Sequence, residues 1–314
     1  MSIIVYTESW EEKFRKSTFE AVSYASEVAK MLSTNVIAIS FGEESNEELA
    51  KLGNYGAEKV LACNQIEKGD SEATSNFLAE NSIDANIIVF ATTNTSRMIA
   101  SRLSAKIKAG IVSNVIELPS EVSPVTLKRK SFSSKAIEQV KVNSDKAIIC
   151  LASNSYGVIE NHKNCSIEKK TINSSENIRF KGQEIANGKL SLSEAEIIVS
   201  AGRGLKGPEN WKMIEDLAET LGAATACSKP VSDIGWRSHD EHVGQTGKAV
   251  APNLYFAIGI SGAIQHLAGV NSSKIMVVIN TDPEAPFFKS ADYGIVGDAF
   301  EIVPKLIEEI KKIR

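Results

Sequence analysis

Cysteine is scarce and scattered in this chain. Its four thiols, Cys63, Cys150, Cys165 and Cys227, lie far apart with no C-x-x-C pair. That spacing offers no zinc site and no dithiol redox motif, and it leads us to expect a reduced, cytoplasmic setting. Basic excess is missing too. Lys and Arg number 35 against 39 Asp and Glu, for a net charge of −4, which lacks the basic stripe of a nucleic-acid binder. No apolar run approaches the length of a bilayer span, so direct membrane insertion is not expected. The opening "MSIIVYTESWEEK" passes from a short apolar strand into acidic residues. Without a basic n-region, a long h-region or an Arg-rich presequence, we expect no targeting signal. Catalytic equipment is equally thin. No Ser/His/Asp set or paired carboxylates emerge, and His239 and His242 lack a third metal ligand. We therefore expect neither catalytic residues nor a metal centre.

The 314 residues suffice for two domains with real cores. In the first part, "SIIVYTE" (2–8), "NVIAISF" (35–41), "EKVLAC" (58–63) and "NIIVFAT" (86–92) read as buried strands. Between the first two, Phe19, Val22, Ala25 and Ala29 recur at helical spacing from Phe14 to Leu32. Such βαβα alternation predicts a parallel sheet covered on both faces. Later pieces, "PVTLKRKSFSSKAIEQVKV", "KAIICLASNSYGV", "CSIEKKTI" and "IRFKGQEI", read as further strands of this domain and a crossing segment. A second series begins at "EAEIIVSAG" and continues through "GAATACSKP", "EHVGQTGK", "NLYFAIGISG", "SKIMVVINTD" and "DYGIVGD". The expected fold class is thus α/β, with two domains each built on a mainly parallel sheet flanked by helices. We place them at 1–192 and 193–314, the second Rossmann-like. The N-terminal strand ends "YTES", "SFGEES" and "ATTNTS" carry no phosphate loop, so that domain reads as structural or partner-docking rather than as a nucleotide sensor. The C-terminal strand ends are rich in glycine and small polar residues, and in open α/β sheets ligands bind beyond those ends.

One strand end, "VSAGRGLKGPEN" (199–210), spells the G-x-G-x-x-G of dinucleotide-binding units with Gly202, Gly204 and Gly207. Its context is right: a strand precedes and a helix follows. Pro208, however, directly follows the third glycine, and proline belongs at the first helical position. Gly207 then becomes a cap residue, where a dehydrogenase would keep this glycine inside the helix. The next strand, "AATACSKP", ends in Cys227, Ser228 and Lys229 instead of the acid that binds a ribose. An NAD(P)-dependent oxidoreductase is therefore the weaker reading. Arg203, between the first two glycines, suits an anion at a tight loop before a helix, unless it is a solvated arginine on an ordinary turn.

Other strand ends add polar groups. Ser261 and Gly262 lie at a strand-to-helix turn whose free amides could meet phosphate, with Gln265 and His266 in the first helical turn. Gln245 and Thr246 lie between two glycines in "HVGQTGK", where the alternative is a plain turn. Asn280 ends "VVIN", and Asp298 follows Gly297. The pattern reads as a holder for one large ligand that carries the chemistry itself.

Taken together, "AGRGLKGPENW", "SKPVSDIGW", "HVGQTGK", "LYFAIGISGAIQHLAG" and "VVINTDPEAPFFKSADYGIVGDAFEIVPKL" closely resemble the alpha subunit of electron-transfer flavoproteins over about 194–314. The N-terminal half fits the family more loosely. The resemblance implies an electron carrier, not an enzyme in the strict sense, with one FAD held between this domain and a beta subunit. It implies flavin dehydrogenases of the acyl-CoA type as donors and a membrane quinone oxidoreductase as acceptor. An electron-bifurcating variant that oxidises NADH through a second FAD in the partner stays open. The implied cofactor-binding positions are Arg203, Ser228, Lys229, Val243, Gly244, Gln245, Thr246, Ser261, Gly262, Ala263, Ile264, Gln265, His266, Asn280, Asp298 and Ala299. Thr246 would hydrogen-bond near flavin N5, and His266 would lie near the C2 carbonyl. Many family members carry arginine where this chain has Lys229, and lysine keeps the charge but loses the planar fork.

Overall fold

A computed structural model describes residues 2–64, 66, 69–172, 181 and 191–313. The chain divides into two compact units, 1–132 with 136–183, and 184–314 with 133–135. The strand-like stretch "IRFKGQEI" falls outside the described residues except for Lys181.

The first unit is built on strands β1 (Ser2–Tyr6), β4 (Asn35–Phe41), β5 (Lys59–Cys63), β6 (Ala85–Ala91), β7 (Gly110–Val115), β9 (Val125–Ser131), β10 (Ala136–Lys141), β11 (Ala147–Leu151) and β12 (Ser166–Lys170). Two-residue strands β2 (Ser9–Trp10) and β3 (Lys13–Phe14) pair as a small hairpin, and β8 (Glu121–Val122) pairs with β9. The sheet runs β10-β9-β7-β11-β6-β1-β4-β5-β12. From β7 to β12 it is parallel, and the β9–β10 hairpin closes one edge antiparallel. All four N-terminal strands expected from sequence are present, β4 with the same bounds.

Apolar run and period-2 geometry together explain the burial. In β1, Ile3 and Val5 enter the core beneath helix α1 (Lys16–Met31), which supplies Ala21, Val22, Tyr24 and Ala25. Ile4 and Tyr6 enter the opposite core, closed by α3 (Ser71–Asn81) and α4 (Asn94–Ile107). The α4 start is a capping box in which Thr93 and Ser96 satisfy each other's amides. A one-turn helix α2 (Asn46–Ala50) carries Glu48, whose carboxylate accepts from the Phe14 amide at 2.9 Å.

A loop follows β11, and its amides are already spoken for. The buried Glu20 carboxylate accepts from the backbone N–H groups of Asn154 (3.0 Å), Tyr156 (2.9 Å) and Gly157 (2.9 Å). An amide cluster of this kind would suit an anionic ligand, but here the chain fills it with its own side chain. We predict that Glu20→Ala, which strands three amides, costs the first unit about 3 kcal/mol, whereas Glu20→Gln costs less. Urea unfolding checks this; a loss below about 1 kcal/mol for Glu20→Ala would contradict the assignment.

The second unit carries a five-stranded, wholly parallel sheet: β13 (Ile197–Ala201), β14 (Ala224–Cys227), β15 (Leu254–Ile258), β16 (Ile275–Asn280) and β17 (Tyr293–Val296). Its order is β14-β13-β15-β16-β17. Helices α5 (Lys212–Leu221) and α8 (Ala299–Ile313) pack on one face with the Val199, Phe256 and Ile279 core. Short helices α6 (Lys229–Asp233) and α7 (Ile264–Val270) follow β14 and β15. One expectation is corrected. "EHVGQTGK" is not a strand: Val243 and His242 make single isolated bridges, because Gly244 and Gly247 break the extended run with a turn.

Candidate functional site

Numbered within the second unit, the sheet order is 2-1-3-4-5. The order therefore reverses between β13 and β15, the position at which the loops leaving neighbouring strands part and ligands bind in the crevice of open α/β sheets. The two loops touch through backbone alone. The Gly202 N–H donates to Ile258 O at 2.9 Å, and the Gly204 N–H to Gly259 O at 3.1 Å. A Cβ on Gly202 would lie 2.3 Å from Gly259 O, and one on Gly204 would lie 2.6 Å from Gly259 Cα. Gly259 itself has φ +61°, a left-handed conformation suited to glycine. The first two glycines of the G-x-G-x-x-G are thus required by loop-on-loop packing.

Helical structure begins at Pro208, as its position predicts, but as a 3-10 turn over Pro208–Trp211; α5 starts only at Lys212. Gly207 caps that turn in an extended conformation. Arg203 opens another 3-10 turn, Arg203–Leu205, and its side chain is exposed. Strand β14 ends at Cys227 and is followed directly by Ser228 and Lys229, with no carboxylate at this turn. The Ser228 amide donates to Ala201 O at 3.1 Å, and Lys229 is exposed.

The His242–Lys248 loop is held against both neighbours. The Val243 N–H donates to Cys227 O at 3.0 Å, and the Gln245 N–H to Gln265 O at 2.7 Å. Close approach to α7 needs two more glycines, since a Cβ on Gly269 would lie 2.5 Å from Gly244 Cα. Behind the loop, Arg237 grips the buried Glu241 through Nε and Nη2, both at 2.8 Å, and reaches Glu215 at 2.9 Å. Val243 is fully buried, whereas Gln245 and Thr246 are exposed.

After β15, Gly262 (φ +85°) leaves room for Phe287, whose N–H donates to Ser261 O at 3.0 Å. Ser261, Ala263, Ile264 and Gln265 are exposed, and Ile264 keeps 68% of its surface open. Asn280 is turned inward: its Nδ2 donates to Ile260 O at 3.0 Å and its Oδ1 accepts from the Asp282 N–H. Asp298 accepts from the Phe300 N–H at 3.0 Å at the start of α8, and its other oxygen lies 3.5 Å from Lys206 Nζ. Ala299 is buried as the first residue of that helix.

His266 is buried, not on the helix surface. Its Nε2 lies 2.9 Å from the Tyr255 hydroxyl. Its Nδ1 is buried near the Val243 carbonyl, without a hydrogen bond of good geometry. Burial, with His242 nearby, lowers its pKa from the usual 6.5 to about 4, against a small opposing pull from that carbonyl. His242 is held below its ordinary value too, chiefly by burial. Burial pushes the Cys227 thiol up to about 12, so this strand end offers no reactive thiolate.

The arrangement is chemically specific. Two exposed cations, Arg203 and Lys229, suit phosphates; exposed hydroxyls and amides at Thr246, Ser261, Gln245 and Gln265 suit hydrogen-bonding edges; Ile264 offers an apolar surface among them. A ligand that joins a planar ring system to a diphosphate matches this donor set. Sequence reasoning missed Tyr255, Phe287 and Arg237. Only Tyr255 left a signal, since a tyrosine in a strand buried on both faces needs a polar partner.

Comparisons with known proteins show what this chain is similar to. Residues 191–271 match the model of the electron transfer flavoprotein FAD-binding domain, and residues 3–175 match the electron transfer flavoprotein domain. The electron transfer flavoprotein subunit alpha of Bacillus subtilis is 36% identical over 99% of this chain and 98% of its own length. That of Syntrophomonas wolfei is 34% identical over 98% of each. The mitochondrial subunit alpha of Dictyostelium discoideum is 56% identical over a segment covering 43% of this chain and 39% of its own.

Neutral His266 has a thermodynamic consequence. Between its unfolded value near 6.5 and its folded value of about 4, the unfolded chain binds the proton and the folded chain refuses it. Stability therefore falls as pH drops through that window, by roughly 3 kcal/mol at its lower end. We expect His266→Asn to remove this dependence in urea unfolding at pH 7 and pH 5; an unchanged slope would contradict the assignment.

Proposed function

We propose that this chain, which belongs to the electron transfer flavoprotein family as an alpha subunit, is the FAD-holding half of a two-subunit electron carrier. The observation that carries the reading is the set of hydrogen bonds that joins the loops after β13, β14 and β15 and the His242–Lys248 loop to one another, within the residues that match the family's FAD-binding domain. Bound there, FAD would supply the redox chemistry; the chain supplies binding, orientation and charge.

In this reading Arg203 and Lys229 counter the diphosphate, with Arg203 offering the planar fork. Ser228, Val243, Gly244, Ser261, Gly262, Ala263 and Gln265 shape the walls and present backbone and side-chain donors. Ile264 gives an apolar surface to a ring. Thr246 donates at flavin N5, and His266 borders the pyrimidine edge. Asn280, Asp298 and Ala299, at the ends of β16 and β17, complete the cofactor-binding set. A lone carrier has no substrate bond to break, which accords with a site built from binding groups. The absence of a carboxylate at the turn after β14 speaks against a nicotinamide dinucleotide.

The partner in this proposal is a beta subunit, the donors are flavin dehydrogenases of the acyl-CoA type, and the acceptor is a membrane quinone oxidoreductase. Among the described residues no helix is long and apolar enough to cross a membrane, so the acceptor would be met at its own surface. A plain carrier holds one FAD per pair of subunits; two per pair, with NADH oxidation, would instead indicate bifurcation.

Two substitutions test the site. Arg203→Ala is expected to lower the FAD retained through gel filtration several-fold, and full retention would remove that residue from the site. Thr246→Ala is expected to keep FAD bound while shifting its midpoint potential; a potential equal to the parent's would refute contact at N5.

A further inference from the structure

His266 does not stand alone. Tyr255, the second residue of β15, is fully buried and its hydroxyl meets His266 Nε2 at 2.9 Å. The tyrosine ring stacks on Phe287 with an interplanar angle of 12° and centroids 6.4 Å apart, and Phe287 also packs against the imidazole at 5.9 Å. Phe287 can sit there only because residue 262 is glycine: a Cβ at that position would lie 2.5 Å from the Phe287 nitrogen. Three rings are thus fixed against one another in the core of the second unit.

Two constraints on the protons agree. Burial drives the Tyr255 phenol far above its usual range, so it keeps its proton, and a buried hydroxyl needs an acceptor. The Ser200 hydroxyl also reaches the Tyr255 oxygen, but as a donor that favours the phenolate, which leaves a bare Nε2 at 2.9 Å as the acceptor. On the other side of the ring, Nδ1 lies near the Val243 carbonyl, which tolerates an N–H but repels a lone pair. Both favour the neutral imidazole with its hydrogen on Nδ1. The other groups about it oppose a second proton: His242 adds repulsion, and burial denies solvation.

We propose that Tyr255 is the positioning residue of His266, its hydroxyl donating to Nε2 and holding the imidazole as the neutral tautomer protonated on Nδ1. The consequence for the cofactor rests on the FAD reading above. If His266 borders the flavin, it does so as a neutral, oriented group, and fixed positive charge in the crevice comes from Arg203 and Lys229. Tyr255 acts through the histidine and from the core, with no exposed surface of its own.

The test uses the full chain co-purified with its beta subunit and labelled with 15N-histidine. With four histidines in the sequence, a His266→Gln variant assigns the resonance. In the parent, His266 is expected to show a protonated Nδ1 and a bare Nε2, unchanged from pH 8 to pH 5. In Tyr255→Phe, which keeps the ring and its stacking, that single-tautomer signature is expected to be lost, with the flavin potential shifted at unchanged FAD content. A Ser200→Ala variant, which removes the other hydroxyl that interacts with the Tyr255 oxygen, should leave the His266 signature intact if Nε2 is the acceptor. A protonated Nε2 in the parent, or an unaltered tautomer in Tyr255→Phe, would overturn the proposal. FAD content measured on the same samples separates the two readings. Loss of the flavin reading would show as parent protein without FAD, whereas the tautomer is read from nitrogen shifts whether or not FAD is bound.

Discussion

The second unit depends on one close approach, the backbone of Gly202 and Gly204 against Gly259. Strands β13 and β15 are neighbours whose outgoing connections run to opposite sides, so their loops must part just beyond the sheet. Two hydrogen bonds across glycines, at 2.9 and 3.1 Å, hold the base of the crevice while the loops diverge above it. Any side chain at these glycines would force the strand ends apart. Each further loop is registered on this pair: the Ser228 amide on Ala201, Val243 on Cys227, Asn280 on Ile260, and Gly297 on Asn280.

This series of hydrogen bonds fixes the loop backbones that carry the exposed polar side chains. Loops carry the chemistry because the scaffold fixes their ends. Here the fixing extends into the core through the Tyr255, Phe287 and His266 rings and through the Arg237–Glu241 pair. The first unit uses similar topology differently. Its loop after β11 gives its amides to Glu20, so a site that could accept an anion is closed from inside.

Much of the fold was legible in the sequence because its strands are buried on both faces. Uninterrupted runs such as "SIIVY" and "NVIAISF" have few other ways to bury themselves, and their structural bounds fall within a residue or two of the expected ones. "EHVGQTGK" misled because its apolar residues sit among glycines that permit a turn as readily as a strand. At the site, the exposed polar set was legible since glycine-rich strand ends advertise loops. The contacts of Asn280 with Ile260 O and of Asp298 with the Phe300 N–H were not, as a side chain's backbone partners depend on the fold around it. The same holds for the glycine fingerprint. Its spacing is that of a dinucleotide loop, but spacing alone does not reveal that packing against Gly259 also demands the missing side chains at Gly202 and Gly204.

The central claim is that this crevice holds a flavin dinucleotide and not a nicotinamide one. It is tested most directly by the visible absorption spectrum of the co-expressed subunit pair, purified without added cofactor and then titrated with NADH. Flavin bands are expected in the purified protein, with FAD released on denaturation. A colourless protein that binds NADH at the β13–β15 crevice would contradict the claim.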